Sequence, residues 1–188
     1  MNTGERSRWQ QDLVASANEL IGHTIAKVYY IGLCTDKGAF DRDYGEWHDP
    51  IMDVEFVTTE RTRFWATWQQ NPLDDFHLTL SRRPVPDKVV GDRQVEPAPA
   101  WDEIPTPHWD MTTHPRWATL IGQSVEAVTP IWSPWPDSGP WAIRLDFTAG
   151  TVWLVAVWEL DDGYWLGGDD IAVVFDEKVM ARMRISSP

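Results

Sequence analysis

The sequence predicts an α+β fold that is mainly β: two pseudo-symmetric repeats, each a small antiparallel sheet with a short helix, packed as one body. Three observations predict it. Residues 20–28 and 120–128 share a Leu-Ile-Gly start, a polar pair, a β-branched residue and a closing Val at an offset of one hundred. Residues 52–56 and 143–147 alternate apolar and polar side chains, the period of two that marks a half-buried strand. A polar turn and a second apolar run, 64–68 and 154–158, follow each of them. The offset changes by one residue across that turn, where a length change leaves the faces of the strands intact.

The elements follow in order. Trp9, Leu13, Val14, Ala17 and Leu20 recur at helical spacing, and Gly22 suits the position after the helix, where φ is positive. A first strand reaching Ile31, a variable loop, the hairpin and a last strand over 76–80 complete a unit spanning 1–82. Residues 83–113 hold Pro84, Pro86, Pro97, Pro99, Pro105 and Pro107, which forbid regular helix. Trp101, Ile104 and Trp109 make this segment a strap laid against the body. The second unit, 114–188, opens with a short helix that has Pro115 in its first turn and Trp117 and Leu120 facing inward. Its last strand is 171–175, and Asp176 caps a closing helix carrying Val179, Met180 and Met183. Residues 152–158 are apolar on both faces and so need cover on both, from the first unit, the strap or another subunit.

Composition narrows the function classes. A chain that is 43% hydrophobic, with thirteen tryptophans, can build a substantial core. Its net charge of −13 excludes phosphate-gripping nucleic-acid binding and disfavours anionic membrane surfaces, leaving a basic protein or a cation as partner. No apolar run reaches the roughly 18 residues of a membrane span. Cys34 alone forms no intrachain disulfide, and the opening residues lead into an amphipathic stretch, so the expected compartment is cytoplasmic.

Chemistry-bearing groups are sparse. Asp41, Asp43, Gly45, Glu46 and Asp49 resemble the start of a calcium loop, but the glycine spacing and the closing bidentate Glu are missing. They read as a solvated acidic loop. His108, Asp110 and His114 are metal-ligand types on a proline-rich strap without a zinc knuckle's spacing, and read as caps and surface groups. No metal site, cofactor or catalytic residue is therefore expected. The sequence leans against an enzyme, because it has no nucleophile elbow and no glycine-rich phosphate loop.

Charge supplies the leading functional expectation. From 145 to 177 there are eight acids and no Lys or Arg. Glu159, Asp161, Asp162, Asp169 and Asp170 bracket Tyr164 and Trp165, an acidic rim around an aromatic anchor suited to a basic protein partner. The alternative is a small-ligand or carbohydrate binder, with an enzyme included in that class. Its pocket lies between the repeats and is lined by Trp132, Trp135 and Trp141. A third reading makes the doubly apolar strand a homodimer interface.

The Leu-Ile-Gly start, the alternating hairpin and the ending over residues 168–176 resemble uncharacterised actinobacterial proteins with a duplicated β-rich unit. That group has no known activity, so the resemblance implies the duplicated fold and carries over no functional residue. Size and acidity are similar to those of immunity proteins, which makes an inhibitor of a basic toxin the most concrete form of the binding expectation.

Overall fold

The computed structural model describes residues 7–32, 38–70, 76–82, 108–135, 138–160 and 163–185. In chain order the first elements are α1 (Arg8–Asn18), β1 (Ile25–Ile31), β2 (Trp47–Ile51), β3 (Asp53–Thr58), β4 (Arg63–Gln70), β5 (Phe76–Ser81) and β6 (His108–Asp110). Then come α2 (Pro115–Ala118), β7 (Val125–Trp132), β8 (Pro140–Phe147), β9 (Gly150–Leu160), β10 (Gly163–Leu166), β11 (Asp170–Val174), α3 (Glu177–Met180) and β12 (Arg184–Ile185). The protein is mainly β, as the alternation predicts.

One sheet has the order β5-β4-β3-β1-β6, all antiparallel. In the other, β7, β8 and β9 form a meander, β9 also pairs with β10 and β11, and β2 borders β11. The short β12 adds the parallel pairing, to β10. Val54, Phe56, Phe64, Ala66, Leu78 and Leu80 of the first sheet share one core cluster with Ile143, Leu145, Leu154 and Ala156 of the second. The alternating faces of the two sheets are thus buried against each other, which is how half-apolar strands escape water.

The two Leu-Ile-Gly segments meet. The Gly22 amide donates to the Val125 carbonyl and the Gly122 amide to the Ile25 carbonyl, each at 2.8 Å. Ile25 donates to Gln123 and Val125 to His23, both at 3.0 Å, and the Thr24 and Ser124 hydroxyls lie 2.8 Å apart. Both glycines have positive φ, 84° and 82°, which frees their amides to cross between the segments. A register irregularity follows in each strand, between Ile25 and Lys27 and between Val125 and Ala127.

Several expectations need correction. The loop after β1 is not wholly irregular: residues 47–51 add a strand to the edge of the second sheet, so a segment of the first half completes the second. Residues 108–110 pair with β1, while 83–107 of the strap lie outside the described residues. Glu55, read as outward, is 3% exposed and ion-paired with Arg63 at 2.6 Å, because a carboxylate taken from water needs a partner. The outer face of β9 carries Trp153, Val155 and Val157, and the cover comes from Val179, Met180 and Met183 around α3, with Trp47 from β2. Cover on this face from the chain's own closing helix weakens the case for a subunit interface there. Phe56 and Phe147 are both buried, but Trp68 is half-buried and Trp158 is 45% exposed, so that aligned pair differs in surroundings.

Replacing either crossing glycine tests the seam. Gly22→Ala and Gly122→Ala should each cost about 1 kcal/mol of unfolding free energy, read from urea midpoints, because alanine resists positive φ. A variant as stable as wild type would show that the seam does not depend on that backbone conformation.

Candidate metal centre

The site is built from three short pieces of chain. Residues 42–49 form a tight hairpin: Tyr44 N donates to Trp47 O at 3.0 Å, and Asp49 N to Arg42 O at 3.1 Å. Asp43 and His48 face each other across it as an isolated bridge, a pairing that sets both side chains on one face. Their neighbours Tyr44 and Trp47 stack at 4.2 Å, and Trp47 packs with the cluster behind the second sheet. The third piece is the start of α2. His114 is its N-cap, accepting from Arg116 N at 3.4 Å, and Pro115 presets the first turn.

These pieces bring together Asp43, His48 and His114. Among the described residues, one ligand atom from each lies within 4.8 Å of the others. His114 Nε2 stands 3.1 Å from Asp43 Oδ2, and His48 Nε2 stands 3.4 Å from Asp43 Oδ1. The two imidazoles meet edge to face at 4.5 Å. His48 is fully buried, whereas the side chains of His114 and Asp43 are 23% and 38% exposed. The cluster therefore has one wall inside the protein and one open to water.

Packing fixes the buried ring. Phe175 lies 4.9 Å from His48, Tyr30 5.6 Å and Phe40 5.7 Å. Its Nδ1 is bonded to Tyr30 Oη at 2.8 Å, and that oxygen accepts from Trp117 Nε1 at 2.7 Å. Trp117 sits three residues after His114, so one turn of helix supplies a candidate ligand and the anchor behind another. On the opposite side of the ring, Nε2 is buried and makes no hydrogen bond among the described residues. Buried polar atoms are rarely left so, and each exception calls for a cause such as an ion.

The electrostatics leave a neutral imidazole beside an ionised carboxylate. Burial lowers His48 from 6.5 to about 4, helped by His114 and opposed by Asp43, so the ring is neutral at pH 7. Partial burial would raise the Asp43 carboxyl, but the Gly45 amide at 2.7 Å, His48 and His114 hold it below the usual carboxylate range. Burial also raises the Tyr30 phenol well above 10 despite the Trp117 bond, so its hydroxyl keeps its proton.

The sequence singled out two of these residues, in two separate groups. Asp43 came with the calcium-like loop, His114 with His108 and Asp110, and no metal set was expected. In the structure His108 is exposed on β6, and Asp110 accepts from the Thr112 amide at 2.9 Å. His48 and Tyr30 were missed. The available signal was the Tyr-Gly-Glu-Trp turn between Asp43 and His48, which as a hairpin makes them cross-strand neighbours.

The acidic aromatic set divides differently. Asp161 and Asp162 lie outside the described residues. Glu159 on β9 is opposite Tyr164 on β10, and Trp165 is opposite Trp158. Asp169 is exposed, and Asp170 is half-buried where β11 begins. Of the alternative ligand-stacking residues, Trp135 is 44% exposed, Trp132 half-buried and Trp141 3% exposed, which removes Trp141 from any stacking surface.

No family model, curated protein or solved structure matches this chain. The chemistry of the donors thus carries the functional argument by itself.

Burial of neutral His48 sets a pH dependence. The unfolded chain takes up a proton near 6.5 and the folded one near 4, so the stability from this group is complete above 6.5 and lost as pH falls to about 4. The loss is about 3 kcal/mol for a shift of this size. Urea denaturation with chelator present, at pH 7 and pH 4, should show this component in wild type and not in His48→Gln. An equal loss in both proteins would place the titration elsewhere.

Proposed function

We propose that Asp43, His48 and His114 bind one divalent first-row transition-metal ion, with the solvent side left for water or a substrate. The observation that carries this reading is the buried His48 Nε2, without a hydrogen bond among the described residues and aimed at the Asp43 carboxylate. Ligand atoms held at about 2.0–2.2 Å around an ion sit on the order of 3 Å apart, near the 3.1 and 3.4 Å between Asp43 and the two imidazoles. Two imidazoles and one carboxylate suit zinc, iron or cobalt, while calcium and magnesium prefer oxygen alone. Three protein ligands with an exposed side are the arrangement of a working centre rather than a closed structural one.

The net charge of −13 favours capture of a cation as readily as that of a basic protein. Of the two, the cation has a converged donor set among the described residues. The position also suits the alternative of a ligand site between the repeats: Tyr30 belongs to the first sheet, His48 to the edge of the second, and His114 to the helix preceding β7.

We also infer that the units at 1–82 and 114–188 descend from one ancestral unit. The shared Leu-Ile-Gly pattern, the reciprocal bonds at Gly22 and Gly122, and the matching register irregularities support it. The unlike surroundings of Trp68 and Trp158 mark where the two have diverged.

Calorimetric titration of chelator-treated protein should give one zinc or cobalt ion per chain, with no heat from calcium at the same concentration. His114→Ala should weaken binding by at least about tenfold, and Asp169→Asn, an exposed acid elsewhere, should leave it unchanged. Calcium binding as tightly as zinc, or equal affinity in His114→Ala, would overturn the assignment.

A further inference from the structure

Resting on the metal reading, we infer that Trp117 and Tyr30 form a proton lock on the centre. They hold a proton on His48 Nε2, the atom the metal needs, and so regulate occupancy of the site.

The inference follows from the direction of hydrogen bonds. An indole N–H donates and cannot accept. Trp117 Nε1 reaches Tyr30 Oη at 2.7 Å, so that oxygen is already an acceptor on this side. A phenol has one hydrogen, and the second polar neighbour of Tyr30 Oη is His48 Nδ1 at 2.8 Å. The hydroxyl therefore donates to Nδ1, and a neutral imidazole that accepts at Nδ1 carries its proton on Nε2. That N–H faces Asp43 Oδ1 at 3.4 Å without a hydrogen bond.

A metal at Nε2 must displace that proton. The ring stays neutral when Nε2 gives its proton to solvent and Nδ1 takes one from solvent during a transient opening of the packed wall, so no net proton is released by His48. Nδ1–H then donates to Tyr30 Oη, which already accepts from Trp117, and the Tyr30 hydroxyl hydrogen has to turn away from both. The lock thus opposes metal binding by the cost of one stranded buried hydroxyl. Relief of the unpaired Nε2–H acts in the opposite direction. Trp117 and Tyr30 are both fully buried, so nothing from solvent can take up that hydrogen.

Among the described residues, Asp43, whose carboxylate oxygen lies 3.4 Å from Nε2, is the other group that favours a proton there. Phe40 and Phe175 offer no donor, and His114 directs its Nε2 to Asp43 Oδ2. Tyr30 is thus a positioning residue: it acts on the proton of His48 and has no direct role at the ion.

Nitrogen NMR of the histidine rings in chelator-treated wild type should show His48 as the Nε2–H form, changing to Nδ1–H when zinc is added. Tyr30→Phe keeps the ring and removes the hydroxyl. It should weaken the preference for Nε2–H, which Asp43 alone then favours, and bind zinc about tenfold more tightly. Where that variant does not fold, the resting His48 tautomer of wild type and its change on adding zinc, read from the same spectra, decide the matter. A resting His48 with its proton on Nδ1, or a Tyr30→Phe protein that binds zinc as weakly as wild type or more weakly, overturns the lock. Failure of wild type and variant alike to bind zinc, with His48 still in the Nε2–H form, overturns the metal reading and leaves the hydrogen-bond assignment standing.

Discussion

An indole N–H can only donate, and the buried one on Trp117 donates to Tyr30 Oη, the first link of a buried polar chain that runs on to His48. Trp117 belongs to α2, Tyr30 to β1 and His48 to β2, so this chain of bonds ties the second half of the molecule to the first sheet and to the edge of the second. A buried polar chain of this kind is costly unless every member is satisfied. The chain is satisfied as far as His48 Nδ1 and fails at Nε2, which is where the open cluster begins. The site is thus the point at which the interior's hydrogen bonding ends, with Asp43 Oδ1 3.4 Å beyond Nε2.

The fold makes that possible by trading edge strands. Residues 47–51 leave the first half to border β11, and residues 108–110 border β1. The Leu-Ile-Gly segments tie the two sheets together elsewhere. At that seam the backbone crosses in both directions, Gly22 to Val125 and Gly122 to Ile25. Aromatic packing around Tyr30, Phe40 and Phe175 excludes water from one wall, while Asp43 and His114 keep the other wet.

What could be read from the sequence was whatever local physics decides. The turn glycines, the alternating hairpins, Pro115 at the start of α2 and Asp176 as the cap of α3 follow from φ, period and capping, and the structure has each of them. The centre could not be read this way. Asp43 and His114 are 71 residues apart, and each sat in a group that lacked ligands. His48 sat in a segment taken for loop, and its burial depends on β2 pairing with a strand more than a hundred residues later. Glu55 misled for a similar reason: alternation placed it outside, and its ion pair with Arg63 lets it be buried. Trp141 and Trp158 show that tryptophan exposure is set by tertiary neighbours rather than by the turn or strand that carries it.

The most direct test is the zinc K-edge X-ray absorption spectrum of protein loaded with one equivalent of zinc. The account predicts two imidazole nitrogens and carboxylate or water oxygen at about 2.0–2.2 Å. A shell of oxygens alone, as scattered surface carboxylates would give, would contradict it.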